Sequence, residues 1–276
     1  MTGGLTAVHR AGVFGRPVGH SLSPVLHRAA YTALVLPDWR YSAVECGDAE
    51  LSGVLEALGP EWVGMSLTMP LKRVALELAD EVSPLAADVG AANTLLLSGH
   101  RRRAENTDVA GIVEALREAG VTRATNPVVL GAGGTAQAAL AALRELGGTE
   151  PAVLVREPAR AGELRVAAER LDVRPRVLRG LDHPARGEAD VVISTLPAGA
   201  ADLLTSAWRP GQVVLDVIYA PWPTRFAASA AAAGCVVVSG LEMLLHQAAA
   251  QVLLMTGRPA PVAAMRSALA TAAAAR

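Results

Sequence analysis

The sequence predicts an α/β fold with two domains, and three observations indicate it. Short apolar runs alternate with segments whose apolar residues recur at helical spacing. The second part of the chain holds about six short Val-rich runs, as expected for a parallel sheet that is covered on both faces. With 276 residues, 51% of them hydrophobic, the chain is long enough to bury two modest cores.

In the first part of the chain, strands are predicted for the segments AGVFG, RYSAVEC and WVGMSLT. A helix is predicted to begin near Ser23, with Ser23 as the N-cap and Pro24 at the first helical position. Another helix is predicted between the second and third strands, in AELSGVLEALG. Pro70 is expected to open a helix that ends at about Asp80, and a short helix precedes ANTLLL. The basic run Arg101–Arg103 is predicted to be a solvated loop.

The second part of the chain begins with the helical pattern ENTDVAGIVEALREAG, which Gly120 ends. Its predicted strands are PVVLG, PAVLV, RPRVL, ADVVIST, QVVLDVIY and CVVVSG. Mostly helical segments separate them. After Gly240 the pattern is helical again, and the chain ends in a second helix that is rich in alanine.

Composition excludes several classes of protein. The formal net charge of −1 argues against binding to nucleic acid, which usually requires a basic stripe. Cys46 and Cys235 are far apart and indicate neither a disulfide framework nor a metal site, so we expect both to be small core residues. We see neither a signal peptide nor an apolar run of about 20 residues, and we therefore expect a cytoplasmic protein that does not span a membrane.

The segment VVLGAGGTAQAALAALRELG has the form of a strand, a glycine turn and a long helix. Gly131, Gly133 and Ala136 match the G-x-G-x-x-G/A pattern that binds dinucleotides. In that pattern the first glycine allows a tight turn, the second lets the backbone approach a pyrophosphate, and the third position allows close packing of the helix. A structural glycine turn in another α/β domain is the alternative interpretation.

The end of the next predicted strand bears on the choice of cofactor. An NAD site usually places Asp or Glu there to bind the ribose hydroxyls. Here Arg156 follows the strand, and Arg160 comes four residues later. Two guanidinium groups suit the 2′-phosphate of NADP. We therefore predict that the cofactor is NADP and not NAD. Glu157 argues against this prediction, because its carboxylate would repel the phosphate.

These motifs together resemble the shikimate dehydrogenase family over essentially the whole chain. The segments that carry the resemblance are GRPVGHSLSPVLH (15–27), SLTMPLK (66–72), GAANTL (90–95), ENTD (105–108), GAGGTA (131–136), VREPAR (155–160), ISTLPAG (193–199), DVIYAPWPT (216–224) and GLEMLLHQA (240–248). Their number and order make the resemblance specific. It implies reversible NADP-dependent hydride transfer between shikimate and 3-dehydroshikimate, a step in the biosynthesis of aromatic amino acids.

The resemblance also implies the division of the chain. Residues 1–107 and 241–276 would form an α/β substrate-binding domain, and residues 108–240 would form a Rossmann-type domain with a doubly wound parallel sheet. Hydride transfer to NADP requires no metal, and the sequence contains no cluster with metal-ligand spacing.

The resemblance assigns the substrate contacts residue by residue. Ser21, Ser23 and Tyr219 match the residues that bind the substrate carboxylate. The residues that match hydrogen-bonding partners of the ring hydroxyls are Ser66, Thr68, Asn93 and Gln247. Many family members have asparagine in place of Ser66, and a bound water could replace the contact that this asparagine makes. Among the histidines, His27 and His246 are expected to be structural.

Lys72 and Asp108 match the catalytic acid–base pair of the family. Lys72 is the only lysine in the chain, since the other cationic side chains counted with it are all arginine. An ammonium group can give up a proton during catalysis, whereas a guanidinium group stays protonated. A lysine retained by chance on a solvated surface is the alternative. The residues leave open whether Lys72 takes the hydroxyl proton, or Asp108 takes it while Lys72 orients the substrate.

The resemblance extends to the cofactor site, for which the matched residues are Gly131, Ala132, Gly133, Gly134, Thr135, Arg156, Arg160, Thr195, Leu196, Gly240 and Met243. Thr135 and Gln137 differ from the more common Ala and Arg, and the missing Arg removes one phosphate contact. Two other functions stay open: a quinate/shikimate dehydrogenase that uses NAD, and a catalytically silent homologue that senses a ligand. The sequence does not distinguish a monomer from a homodimer.

Overall fold

The computed structural model describes residues 8–99 and 101–275. The chain divides into two compact units. The first unit contains the residues up to Ala87, Ala91–Thr107, and the residues from Gln247 onward. The second unit contains Asp88–Gly90 and Asp108–His246. Within the described residues, no helix is long and apolar enough to cross a membrane.

The elements up to residue 107 alternate between strands and short helices. In chain order they are β1 (His9–Gly15), α1 (Ser23–Ala33), β2 (Trp39–Glu45), α2 (Leu51–Ala57), β3 (Trp62–Leu67), α3 (Val74–Glu77), β4 (Glu81–Val82), α4 (Pro84–Val89), β5 (Thr94–Ser98) and β6 (Arg101–Glu105). A single 3₁₀ turn, Asp48–Glu50, precedes α2.

The elements after residue 107 follow the alternation expected for a parallel sheet. They are α5 (Asp108–Glu118), β7 (Val128–Leu130), α6 (Gly134–Glu145), β8 (Ala152–Val155), α7 (Gly162–Arg170), β9 (Arg176–Arg179), α8 (Ala185–Glu188), β10 (Val191–Ser194), β11 (Val213–Asp216), α9 (Arg225–Ala232), β12 (Val236–Ser239), α10 (Gly240–Thr256) and α11 (Val262–Ala274). A 3₁₀ turn, Pro158–Ala161, leads into α7.

The first sheet is mixed, with the strand order β2-β1-β3-β5-β6-β4. One row of paired residues crosses it from Ala43 through Val13, Ser66 and Thr94 to Glu105. Since β1 and β3 are parallel and β5 is antiparallel to both neighbours, the carboxyl ends of β1, β3 and β6 meet the start of β5 at one edge. Polar residues that follow or precede these strands are therefore brought together.

The second sheet is entirely parallel, with the strand order β12-β11-β10-β7-β8-β9. This is the doubly wound order in which the chain winds outward in both directions from the first strand. Its central strands are buried on both faces, and Val129, Ile193 and Leu215 have no exposed surface. The winding direction reverses between β7 and β10, and ligands of such sheets bind beyond the carboxyl ends of the strands at this point.

Three predictions about local structure were wrong. The helix expected from Pro70 to Asp80 is reduced to α3, because the Lys72 carbonyl accepts a hydrogen bond from the Ala92 N–H (2.8 Å) and so leaves the helical ladder. The amide of Leu76 bonds instead to the carbonyl of Arg73 (2.9 Å). The segment from residue 69 to 73 is consequently a series of turns.

The other two corrections concern Ser23 and the basic run. Ser23 lies inside the first turn of α1, and its N–H donates to Oγ of Ser21 (3.2 Å), so Ser23 is not the capping residue. Arg101–Arg103 belong to the first sheet as part of β6, which lies between β5 and β4. Arg103 forms an ion pair there with Glu105 (2.8 Å). The segment RRRAE has no alternation of apolar and polar residues, so its sequence did not indicate a strand.

Candidate active site

At the carboxyl edge of the first sheet, the end of β1 and the loop that follows β3 approach each other closely. A side chain at Gly15 would overlap the Thr68 side chain and would lie 2.9 Å from the Met69 carbonyl oxygen. The amide of Thr68 donates to the Phe14 carbonyl (2.9 Å). The absence of a side chain at Gly15 therefore lets the Thr68 loop pack directly on the end of β1.

Ser21 and Ser23 lie in the loop that follows β1. A backbone hydrogen bond from the Ser21 amide to the Val18 carbonyl (2.9 Å) closes a turn there. Ser21 is half-buried, and Ser23 is buried. The Ser23 hydroxyl also shares a hydrogen bond with the hydroxyl of Tyr41 on β2. The structure thus brings the two serines of the predicted carboxylate site together.

Asn93 occupies the centre of this edge, between the ends of β3 and β6. Its Nδ2 donates to Oε1 of Gln247 (3.0 Å) and to Oγ1 of Thr107 (2.9 Å). Its Oδ1 accepts from the Thr107 amide (2.8 Å) and from the Thr94 hydroxyl (3.0 Å). The structure therefore joins two predicted substrate residues, Asn93 and Gln247, directly. Because Oε1 of Gln247 accepts, its Nε2 is the group that can donate to a ligand.

The sequence analysis did not identify three buried residues beneath these groups: Tyr41, Gln251 and Thr107. The Tyr41 hydroxyl donates to Oγ of Ser66 (2.6 Å), and the Ser66 hydroxyl donates to Oε1 of Gln251 (2.8 Å). Burial raises the pKa of Tyr41, so its hydroxyl keeps its proton. The spacing of Gln247 and Gln251, four residues apart on α10, was the available signal, because such residues share one face of a helix.

His27 belongs to the same buried group. Its Nε2 lies 3.3 Å from Oε1 of Gln251, and its ring stacks on Tyr41 with centroids 4.0 Å apart. Burial lowers the pKa of His27 from about 6.5 to about 3, so the imidazole is neutral near pH 7. This environment agrees with the structural role expected for His27 from the sequence.

Lys72 and Thr107, the residue before Asp108, both form hydrogen bonds with the dipeptide Ala92–Asn93. The carbonyl of Lys72 accepts from the Ala92 amide (2.8 Å). The Thr107 amide donates to Oδ1 of Asn93 (2.8 Å). The Lys72 side chain is half-buried. Asp108 is buried and is the first residue of α5, where a carboxylate is favoured by the helix dipole.

The carboxyl edge of the second sheet carries the glycine turn. Gly131 directly follows β7 and has a φ angle of +106°, a conformation that disfavours other residues. A Cβ at this position would lie 2.6 Å from Oγ1 of Thr195 and 3.4 Å from Cδ2 of Leu196. Thr195 itself donates to the Leu130 carbonyl (2.8 Å). The structure thus brings Gly131, Thr195 and Leu196 together at the point where the sheet reverses.

The start of α6 has the features of a dinucleotide-binding turn. Ala132 and Gly133 connect β7 to α6, and Gly134 and Thr135 form its first turn. Gly133 precedes the helix without any side-chain cap, so the first amides are available to an anion. A Cβ on Gly133 would meet no atom within 4 Å, so the space beside this backbone is open. These features fit the pyrophosphate of a dinucleotide.

Glu157, which follows β8, has a cationic neighbour. Oε2 of Glu157 lies 3.6 Å from NH2 of Arg179, at the end of the neighbouring strand β9. Arg156 and Arg160 are exposed on the same segment. Since Arg179 offsets the charge of Glu157, this carboxylate opposes binding of a phosphate less than its position in the sequence suggested.

Tyr219 and the start of α10 follow the last two strands of the second sheet. Tyr219 is half-buried, in the loop three residues beyond β11. A Cβ on Gly240 would overlap the Val217 carbonyl, so only glycine allows α10 to begin so close to this loop. Met243 lies in the first turn of α10 and is buried.

One group of side chains could in principle ligate a metal. Glu118, Glu242 and His246 each place a ligand atom within 4.8 Å of the other two, among the described residues. Nε2 of His246 lies 3.1 Å from Oε2 of Glu118. Glu242 and His246 lie four residues apart on α10, but Glu118 is distant in sequence, so spacing could not indicate the group of three. Acidic groups often lie beside a histidine as an ion pair, and we assign no metal to them.

Two family models match the chain. The shikimate dehydrogenase substrate binding domain matches residues 13–95, and the shikimate 5′-dehydrogenase C-terminal domain matches residues 240–270. Among proteins of similar sequence, the shikimate dehydrogenase (NADP(+)) of Moorella thermoacetica is 39% identical and covers 92% of this chain and 90% of its own length.

Solved structures of similar chains agree with this result. Shikimate dehydrogenase of Mycobacterium tuberculosis superposes with a TM-score of 0.89 at 47% identity, over 95% of this chain and 99% of that one. Shikimate 5-dehydrogenase of Thermus thermophilus, solved in complex with NADP(H) and shikimate, superposes with a TM-score of 0.85 at 35% identity. That alignment covers 96% of this chain and 100% of the other.

Proposed function

Because the chain belongs to the shikimate dehydrogenase family, we propose that it catalyses the reversible oxidation of shikimate to 3-dehydroshikimate with NADP. The observation that carries the proposal is the group of Asn93, Gln247 and Thr107, joined by hydrogen bonds of 2.8–3.0 Å at the edge of the first sheet. These hydrogen-bonding groups suit a polyhydroxylated ring, and their nearness to the backbone of Lys72 through Ala92 supports the proposal.

Lys72 and Asp108 form the proposed acid–base pair. Oxidation of a secondary alcohol removes a proton from oxygen while a hydride leaves carbon, and the reverse reaction returns the proton. An ammonium group can release and regain that proton, and a neighbouring carboxylate can tune it or share it. The anchoring of Lys72 to Ala92 supports this role, because it fixes the backbone from which the side chain extends.

The substrate contacts that we propose follow from the same edge. Ser21, Ser23 and Tyr219 bind the carboxylate, for which hydroxyl groups and backbone amides are suitable donors. Ser66, Thr68, Asn93 and Gln247 bind the ring hydroxyls. The buried position of Asn93 and its bonds to Thr107 and Thr94 support this assignment, since they hold the amide in one orientation.

NADP binding is assigned to the carboxyl edge of the second sheet. The residues that we propose to hold the cofactor are Gly131, Ala132, Gly133, Gly134, Thr135, Arg156, Arg160, Thr195, Leu196, Gly240 and Met243. When bound, NADP accepts or returns the hydride. The open space at Gly133 and the uncapped start of α6 suit its pyrophosphate, and the two exposed arginines suit a 2′-phosphate. Residues 1–107 and 241–276 would then form the substrate-binding domain, and residues 108–240 the cofactor domain.

A steady-state assay of reduced cofactor tests the proposal. Shikimate with NADP should give a higher kcat/KM than shikimate with NAD, or quinate with either cofactor. Faster turnover of quinate with NAD would instead support a quinate/shikimate dehydrogenase. Saturable binding of shikimate without turnover by any of the four combinations would support a silent sensor.

A cytoplasmic location is part of the same proposal. NADP and the substrates of a biosynthetic dehydrogenase are intracellular metabolites, and this argument supports the assignment. Cell fractionation that recovers the protein with membranes or outside the cell would contradict it. Analytical ultracentrifugation of the purified chain would distinguish a monomer from a homodimer.

A further inference from the structure

We propose that Tyr41 and Gln251 are positioning residues that fix the direction of the Ser66 hydroxyl, so that Ser66 accepts a hydrogen bond from a substrate hydroxyl and cannot donate one. This inference rests on the proposed function, and it assigns roles to two residues that do not themselves touch the substrate.

The orientation of the Gln251 amide starts the argument. Its Nε2 lies 3.2 Å from the main-chain carbonyl of Asn93, which can only accept, and 2.9 Å from Oγ1 of Thr94. The NH₂ group must therefore point toward these residues. The amide oxygen then faces Ser66 and His27, where it can only accept. Gln251 has no exposed surface, so water cannot substitute for any of these partners.

This orientation fixes the direction of three hydroxyl groups. Ser66 must use its single hydrogen to bond the amide oxygen of Gln251 (2.8 Å). Tyr41 then donates to Oγ of Ser66 (2.6 Å), and the Ser23 hydroxyl is left to donate to Tyr41. The chain of donors runs from Ser23 through Tyr41 and Ser66 and ends at an oxygen that cannot donate.

The chemistry left to Ser66 follows by counting. A serine hydroxyl has one hydrogen and accepts two hydrogen bonds. Gln251 takes the hydrogen and Tyr41 takes one acceptor position, so one acceptor position stays for a ligand. The buried network holds this arrangement, because reversing it would leave a donor or an acceptor without a partner in the interior. Ser66 therefore favours a substrate whose ring carries a hydroxyl group that can donate to the free acceptor position of Oγ.

Kinetics of variants in the full-length protein test the two positioning residues. Gln251→Met, which keeps the size and removes the amide, should raise KM for shikimate roughly tenfold. Tyr41→Phe should have a similar effect. KM for NADP should stay within about twofold of that of the unaltered protein, since both residues lie in the first unit. The double variant should lose less than the product of the single losses, because both act through one hydroxyl.

Gln212→Met is the matched control. Gln212 is also buried, and its amide donates to the carbonyls of Arg186 (3.0 Å) and Ala189 (2.8 Å) in the second unit. Its loss should lower stability without changing KM for shikimate. Circular dichroism at the assay temperature should show that each variant is folded. Equal KM values for shikimate in Gln251→Met, Tyr41→Phe and the unaltered protein would overturn the positioning roles.

Fluorinated substrate analogues test the direction of the Ser66 hydrogen bond. Fluorine in place of a ring hydroxyl cannot donate, so the analogue altered at the carbon that faces Ser66 should bind the unaltered protein roughly tenfold more weakly than shikimate. In Ser66→Ala the same replacement should cost nothing. If each fluorinated analogue loses affinity equally in both proteins, Ser66 does not accept from the substrate. If the unaltered protein turns over no shikimate at all, the proposed function fails instead.

Discussion

The two sheets have six strands each, yet the rows of residues that cross them differ in polarity. In the first sheet a single row contains Ser66, Thr94 and Glu105 beside the apolar Val13. In the second sheet a corresponding row runs through Val129, Ile193, Leu215 and Val238 and is apolar throughout.

The two units differ in the groups that they offer to a ligand. Under the proposed function, the first unit would bind its ligand with side chains, and a buried hydrogen-bonded partner such as Gln251 would hold Ser66 in place. The second unit presents backbone amides at a turn, so it needs glycines and a rigid apolar sheet. A substitution in the polar network of the first unit should therefore act by removing a hydrogen bond. A substitution at the glycine turn of the second unit should act by adding side-chain atoms.

The largest expected effect is at Lys72. Lys72→Ala should lower kcat for shikimate by about 10²–10⁴-fold, because the proton transfer loses its acid and base. Lys72→Arg keeps the charge but cannot release a proton, so it should lose nearly as much activity. Arg73→Ala, at the exposed neighbouring cation, is the control and should keep full turnover. Recovery of most of the activity in Lys72→Arg would show that charge alone is required.

The next prediction compares two glycines of the turn between β7 and α6. An added Cβ would be strained at one of them and would meet no atom at the other. Gly131→Ala adds a Cβ 2.6 Å from Oγ1 of Thr195 at a φ of +106°, and should lower the free energy of unfolding by about 1–3 kcal/mol. Gly133→Ala adds its Cβ to open space and should leave stability unchanged. Both should raise KM for NADP.

Thermal unfolding and steady-state kinetics measure the two effects separately. A fall in Tm for Gly133→Ala as large as that for Gly131→Ala would contradict the distinction between the two glycines. KM for shikimate should be unchanged in both variants, since neither glycine belongs to the first unit.

The proposed preference for NADP is tested at the two arginines after β8. Replacing Arg156 and Arg160 together by Ala should lower kcat/KM for NADP by roughly 10–100-fold and leave that for NAD nearly unchanged. Glu157→Gln should change the preference little, because Arg179 already offsets this carboxylate. A parallel loss for NAD and NADP would exclude selective binding of the 2′-phosphate.

Per pH unit, the smallest effect concerns acid stability, which the burial of His27 in the polar network of the first unit should reduce. The pKa of His27 is lowered to about 3 by burial, whereas in the unfolded chain it is about 6.5. Between these values the unfolded state binds more protons, so stability should fall as the pH decreases from about 6.5 toward about 3. The slope is at most about 1.4 kcal/mol per pH unit for this one group.

Urea denaturation at several pH values measures this slope. His27→Gln should flatten it, because this variant removes the group whose pKa burial lowers. A slope that is the same in both proteins would assign the acid sensitivity to other groups.

The comparison of the two sheets also explains what could be predicted. All six strands of the parallel sheet were recognisable. Its central strands are buried on both faces and form continuous apolar runs, and the outer strands β9 and β12 also contain short apolar runs although they are partly exposed. In the mixed sheet β4, β5 and β6 were not predicted. A two-residue strand and an arginine-rich strand carry no apolar pattern, and the segment ANTLLL, which holds most of β5, was assigned no element. Some residues named in the motifs are in direct contact within one unit, as with Asn93 and Gln247. Tyr41 and Gln251 were missed because their role depends on contacts between distant parts of the chain.

The position of α10 and α11 has a consequence for synthesis on the ribosome. The first unit is discontinuous: α1 packs against α11, and Arg258 donates to the Leu34 carbonyl (3.1 Å). Most of the nascent chain therefore emerges before these partners exist, with the apolar face of α1 uncovered. The second unit, whose strands lie consecutively in the chain, has all its parts earlier. Deleting the last helix should thus leave a chain in which the glycine turn still forms and α1 is exposed.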